Sequence, residues 1–141
     1  MKPRSSRHRP GSPQDWFVHA KSDLRLARLA RRHKAVLREQ VCFHAQQACE
    51  KALKAVLLSK GLEFPLVHDL EALLEIAQEG GIRLPRDVRE IGALSPYAVE
   101  ARYPGYYEDD ITQAQVDEAI RLAERTMIWA STMLRTGQKS S

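Results

Sequence analysis

The run Val41 to Gly61, VCFHAQQACEKALKAVLLSKG, constrains this chain more than any other stretch. It holds no Pro or Gly before Gly61 and is built from strong helix formers. As a helix it spans about 30 Å, the width of a small domain. Cys42, Ala45, Cys49, Ala52, Leu53 and Val56 recur at the three-and-four spacing of one helical face. Val41, Ala48, Ala55 and Leu58 form a second apolar set on another side. A helix that is apolar on more than one side needs several partners, so this one is expected at the centre of the fold. Gln46, Gln47, Glu50, Lys51 and Lys54 make a polar insert in it.

The flanks supply those partners. Ser12-Pro13-Gln14-Asp15 is a helix start, with Ser as cap, Pro in the first turn and Asp at the third position. The helix it opens runs to about Arg32. Trp16, Ala20, Leu24, Ala27 and Ala30 or Arg31 face inward, and Lys21, Arg25, Arg28 and Arg32 descend the other side. Gly61 is a helix-ending glycine, and Glu63-Phe64-Pro65 a connector. His68-Asp69-Leu70 opens a third helix whose stripe is Leu70, Leu73, Leu74 and Ala77; Gly80-Gly81 closes it.

Leu84 to Asp87 starts a fourth helix. It breaks near Ser95-Pro96, because Pro disfavours helix in the residue before it, and resumes for a turn or two toward Tyr103. Pro104-Gly105 is a turn and Tyr106 to Asp110 an aromatic, acidic loop. Thr112 caps a fifth helix that runs to about Arg135 on Val116, Ala119, Ile120, Ala123, Met127, Ala130 and Leu134. No strand alternation competes. The expectation is an all-α, up-and-down helical bundle of about five helices, with a short fourth helix broken near a Pro. Residues 1–11 read as a disordered basic arm, 12–136 as the bundle and 137–141 as a disordered tail.

Charge is divided along the chain. Residues 1–38 carry eleven Lys and Arg against Asp15 and Asp23, a net +9, while the remainder is −5. The basic front suits RNA, DNA or an acidic protein; the alternative is a solvated tail and one charged helix face. No run is long enough to span a membrane and no signal-peptide core opens the chain, which places it in the cytoplasm. Cys42 and Cys49 fall about 10 Å apart along one helix, too far for a disulfide, and no Cys/His spacing suits a metal. Both read as small buried hydrophobes, and no cofactor is implied.

Three segments in order, CFHAQQACEKALKAVLLSKG, FPLVHDLEALL and YAVEARYPGYYEDDIT, closely resemble a HEPN domain (higher eukaryotes and prokaryotes nucleotide-binding). The resemblance covers about residues 13 to 135. Val67 departs from it, standing where many members place Ser or Thr before His-Asp-Leu. The resemblance implies a helical bundle that pairs as a homodimer. It also implies a minimal nucleotidyltransferase as partner, in a toxin–antitoxin-like two-gene system. Several branches of the family are metal-independent RNases, with an Arg and a downstream His contributed across the dimer cleft.

Arg102 matches the Arg of that pattern, yet Tyr-Pro-Gly-Tyr-Tyr-Glu-Asp-Asp follows and no His occurs anywhere beyond it. The leading expectation is therefore a nucleotide- or RNA-binding module. The alternative is a metal-independent ribonuclease whose proton-transfer group is Tyr106, Tyr107 or His68. Arg102, the residue that would serve catalysis, suits a phosphate as a bidentate fork, or else an ion pair with Glu100, Glu108 or Asp109. Tyr103, Tyr106 and Tyr107 offer faces for base stacking or packing at a bundle end, and Tyr106 or Tyr107 is the candidate acceptor of AMP. Glu50 and Lys51 resemble the family's Glu-Lys pair; they either line the cleft with Arg102 or make a structural ion pair. His68 caps or precedes the third helix, and His44 packs beside the central stripe.

Overall fold

A computed structural model describes residues 11–100 and 111–139. Among them are six α-helices: α1 (Pro13–Arg31), α2 (Arg38–Ser59), α3 (Leu70–Glu79), α4 (Arg86–Arg89), α5 (Pro96–Glu100) and α6 (Gln113–Lys139). A 3-10 turn, Glu90–Leu94, joins α4 to α5. The protein is an all-α helical bundle, with the short, broken fourth helix expected from Ser95-Pro96.

Local chemistry sets the boundaries. Ser12 Oγ accepts from the Asp15 amide at 3.1 Å while the Asp15 carboxylate accepts from the Ser12 amide at 3.4 Å. Two otherwise orphaned donors at the start of α1 are thereby satisfied. Thr112 does the same for α6: its Oγ1 accepts from the Gln115 amide at 3.1 Å, and the Gln115 side chain accepts from the Thr112 amide at 2.8 Å. At the end of α2, Gly61 sits at φ +73, a conformation costly for any residue with a Cβ. There the Gly61 and Leu62 amides reach back to the carbonyls of Leu58 and Leu57, which closes the helix. The helix α6 runs to Lys139, beyond the expected end near Arg135.

The helix α2 is central, as its two apolar sets demand. Val41, Cys42, Ala45, Ala48, Cys49, Ala52, Leu53, Ala55, Val56 and Leu57 are all buried in it. Its most extensive neighbour is α1, through Ala20, Leu24 and Ala27, followed by α6, through Val116, Ala119, Ile120 and Ala123. Small residues at these contacts allow close approach. Larger ones such as Leu53, Leu73 and Ile120 fill the layers between, each stabilising the fold by about 2 kcal/mol. Arg38 donates to the Ile111 carbonyl at 3.0 Å, and Cys49 Sγ meets Thr126 Oγ1 at 4.0 Å. The two long helices therefore climb side by side in the same direction. Between them α3 to α5 return the chain, anchored to α6 by Arg121, which reaches Asp87 of α4 at 3.3 Å.

Candidate functional site

The polar insert of α2 is not a solvated face. Gln46, Glu50 and Lys54 recur every four residues, so they stack along one side of the helix, and all three are buried. Lys54 Nζ donates to Glu50 Oε2 at 2.8 Å. Gln46 Nε2 donates to Glu50 Oε1 at 3.0 Å, and Gln47 Nε2 to Gln46 Oε1 at 2.7 Å. The ammonium of Lys54 also lies 5.1 Å from the ring centroid of Trp16 and 5.5 Å from that of Phe64. These rings meet edge to face at 6.4 Å, so the cation is framed by two aromatic faces on its remaining side.

The outer edge of this cluster is His68, at the end of the connector between α2 and α3. Its Nδ1 lies 3.0 Å from Glu50 Oε2 and 3.2 Å from Oε1, while 55% of its side chain is exposed. Two contacts hold it there. Gln46 Nε2 reaches its carbonyl at 3.5 Å, and the next residue, Asp69, caps α3 by accepting from the Glu71 amide at 3.0 Å. Ser95 Oγ accepts from the Leu70 amide at 2.8 Å, which ties the start of α3 to the residue preceding α5. His68 precedes the third helix as expected, and Asp69 is the residue that caps it.

Glu50 and Lys51 do not act together. Neighbours on a helix diverge by about 100°, so Glu50 turns toward His68 while Lys51 Nζ bonds Asp23 Oδ2 of α1 at 2.7 Å. Each makes an ion pair with a separate partner, and the cleft reading involves Arg102, which lies outside the described residues. His44 Nδ1 meets the same Asp23 at 3.2 Å and stacks edge-on against Phe43 at 5.2 Å. Burial alone would raise the Asp23 pKa; hydrogen bonds and charge from His44 and Lys51 outweigh it and hold the carboxyl below its ordinary value. Burial pushes the Cys42 thiol up to about 11, against a hydrogen bond with Tyr97, and the Cys49 thiol up to about 12, against one with Thr126.

Arg102, Tyr103, Tyr106 and Tyr107 lie outside the described residues. Among the described residues the cluster around Glu50 is a buried charged site, and from the sequence its Lys54 and Gln46 were read only as part of the polar insert. The available signal was the four-residue spacing of Gln46, Glu50 and Lys54 inside an otherwise apolar helix. Among the described residues no three His, Cys, Asp or Glu side chains converge as a metal site, and no helix is long and apolar enough to cross a membrane. A groove of about 340 Å³ runs along α3 between Asp69, Glu71, Glu75 and Arg89; its acidic balance repels anions on that flank.

The model of the HEPN domain family matches residues 13–133. Two solved structures are similar. One is ST0689, an archaeal HEPN homologue, at 29% identity and a TM-score of 0.67, with 87% of this chain and 98% of that one covered. The other is TT1696 from Thermus thermophilus, at 28% identity and a TM-score of 0.75, with 88% and 99% covered. A search of curated proteins finds no match.

Proposed function

The chain belongs to the HEPN domain family, and on that premise we propose that it is a nucleotide- and RNA-binding module. In this reading it acts in the cytoplasm as a homodimer, with a minimal nucleotidyltransferase as its partner in a toxin–antitoxin-like two-gene system. One observation carries the binding half: a charged cluster buried in the central helix, its Lys54 framed by Trp16 and Phe64, opens to solvent at His68. A buried ion pair returns little stability for its desolvation, so its presence in the central helix supports a ligand-facing role. Aromatic side chains accept nucleobases without sequence preference, and the exposed His68 imidazole supplies a polar contact for ribose or phosphate. The net +9 of residues 1–38 attracts polyanions toward the same half of the chain.

Fluorescence anisotropy with a labelled mononucleotide and a labelled RNA oligomer tests this reading. Saturable binding that weakens as salt rises, and weakens further in Arg102→Ala and Trp16→Ala, is the expected result. No binding of either probe sinks it. Mixing the protein with the product of its neighbouring gene tests the partnership, and absence of a complex removes that half alone.

A further inference from the structure

Two sides of α1 are used within the fold and a third is not. Ala20, Leu24 and Ala27 are buried against α2 and α6, the elements that pack on α1 most extensively. On the edge toward α6, Arg28 meets Glu124 at 2.8 Å and Arg31 meets Asp117 at 3.3 Å. On the opposite side, Val18, Ser22, Leu26 and Leu29 recur every four or three residues and so share one face. Val18 is 61% exposed, Leu26 45% and Leu29 51%, half of the six large hydrophobic side chains left in water among the described residues. A helix face made for solvent alone is polar, so this concentration marks a contact surface.

We propose that this face of α1 docks an amphipathic α-helix of a partner protein, one whose apolar stripe is bordered by Asp and Glu. Lys21, Arg25 and Arg32 run beside the apolar stripe at four- and seven-residue spacing. All three are exposed, and their side chains make no ion pair among the described residues. Carboxylates at matching spacing on the incoming helix stand opposite them, while its apolar side chains cover Val18, Leu26 and Leu29. Charge then sets orientation and speeds encounter, and removal of apolar area from water holds the complex.

Other occupants fit less of this surface. A second copy brings two fronts of net +9 together. The stretch 1–10 carries Lys2, Arg4, Arg7 and Arg9 with no acidic residue, so it repels the same row. An RNA backbone neutralises the row but leaves the apolar stripe in water. In needing a protein partner, this surface rests on the partnership half of the reading above and on nothing else in it. It faces away from α2, and so from the cluster around Glu50.

A labelled synthetic helical peptide of α1's length, with Leu along one face and Glu on both borders, is titrated with the full-length protein by fluorescence anisotropy. The controls are a peptide of the same composition in scrambled order and one with Lys in place of Glu. Saturable binding of the Glu peptide alone, weakened by salt, is expected. Lys21→Glu/Arg25→Glu lowers that affinity about tenfold or more and passes the preference to the Lys peptide. Leu26→Gln/Leu29→Gln lowers it about as much at low and at high salt. All four positions are exposed, so both variants should melt with the wild type. Failure of the Glu peptide to bind, equal binding of the scrambled peptide, or unchanged affinity in either variant overturns the proposal. A labelled RNA oligomer that binds where the Glu peptide does not, and is lost in Lys21→Glu/Arg25→Glu, gives the row to nucleic acid and overturns it too. Mixing the same proteins with the product of the neighbouring gene separates the two readings. A complex that both variants form as tightly as the wild type removes this surface and leaves the partnership standing.

Discussion

Lys54 Nζ stands 2.8 Å from Glu50 Oε2, one helical turn away, with both side chains withdrawn from water at 4% and 2% exposure. In that position the pair cannot be a solubilising surface contact. Each charge is tolerable only because the other, with Gln46, His68 and two aromatic rings, replaces its lost hydration.

Removing one partner therefore costs more than removing both. Lys54→Met leaves the Glu50 carboxylate buried without its cation, and about 3–5 kcal/mol of stability should disappear. The double variant Glu50→Leu/Lys54→Met should recover most of that loss, because two apolar side chains need no hydration. Urea denaturation measures both. Equal losses in the single and double variants would show that the pair is not isolated from water.

Asp23 links stability to pH. Its folded-state pKa lies below the ordinary 3.8, because His44 and Lys51 overcome the effect of burial. The group thus stabilises the fold above 3.8, and this contribution is lost as pH falls through that value to the lower folded-state one. Asp23→Asn should cost about 1–3 kcal/mol near neutral pH. Thermal melts of the two proteins should converge on acidification, and a gap that stays constant with pH would contradict the assignment.

The thiols should be silent in the native state. With Cys42 raised to about 11 and Cys49 to about 12 by burial, neither carries a useful thiolate fraction at pH 8. A colourimetric disulfide reagent should react with two thiols per chain in denaturant and with none beforehand. Rapid labelling of the folded protein would be the contrary result.

Gly61 should resist substitution more than its empty surroundings suggest. No atom lies within 4 Å of an added Cβ, yet φ is +73. Gly61→Ala should lose about 1–2 kcal/mol through backbone strain alone, and Gly61→Asn less. Calorimetry of the two variants gives the order, and an unchanged melting temperature in both would refute the strain argument.

Much of the fold was legible before any coordinates. The Ser12-Pro13 cap, the glycine at 61, the Leu70–Ala77 stripe and the break at Pro96 each depend on interactions within a few residues, so local sequence displays them. The centrality of α2 was legible too, since two apolar sets admit no other place. Less of the site could be read. Glu50 and Lys51 were read together from the family resemblance, while the structure gives Glu50 to Lys54 and His68 and Lys51 to Asp23.

By itself the sequence determined where helices start, where they stop and which helix the others surround, because caps, breakers and apolar period act over a turn or two. Only tertiary packing decided that Lys54 would be sealed between Trp16 and Phe64, and that His68 would be carried back eighteen residues onto Glu50. Those relationships depend on where the connector after Gly61 leads and on how α1 lies across α2. No short-range pattern encodes such distances; they exist only once the helices are packed.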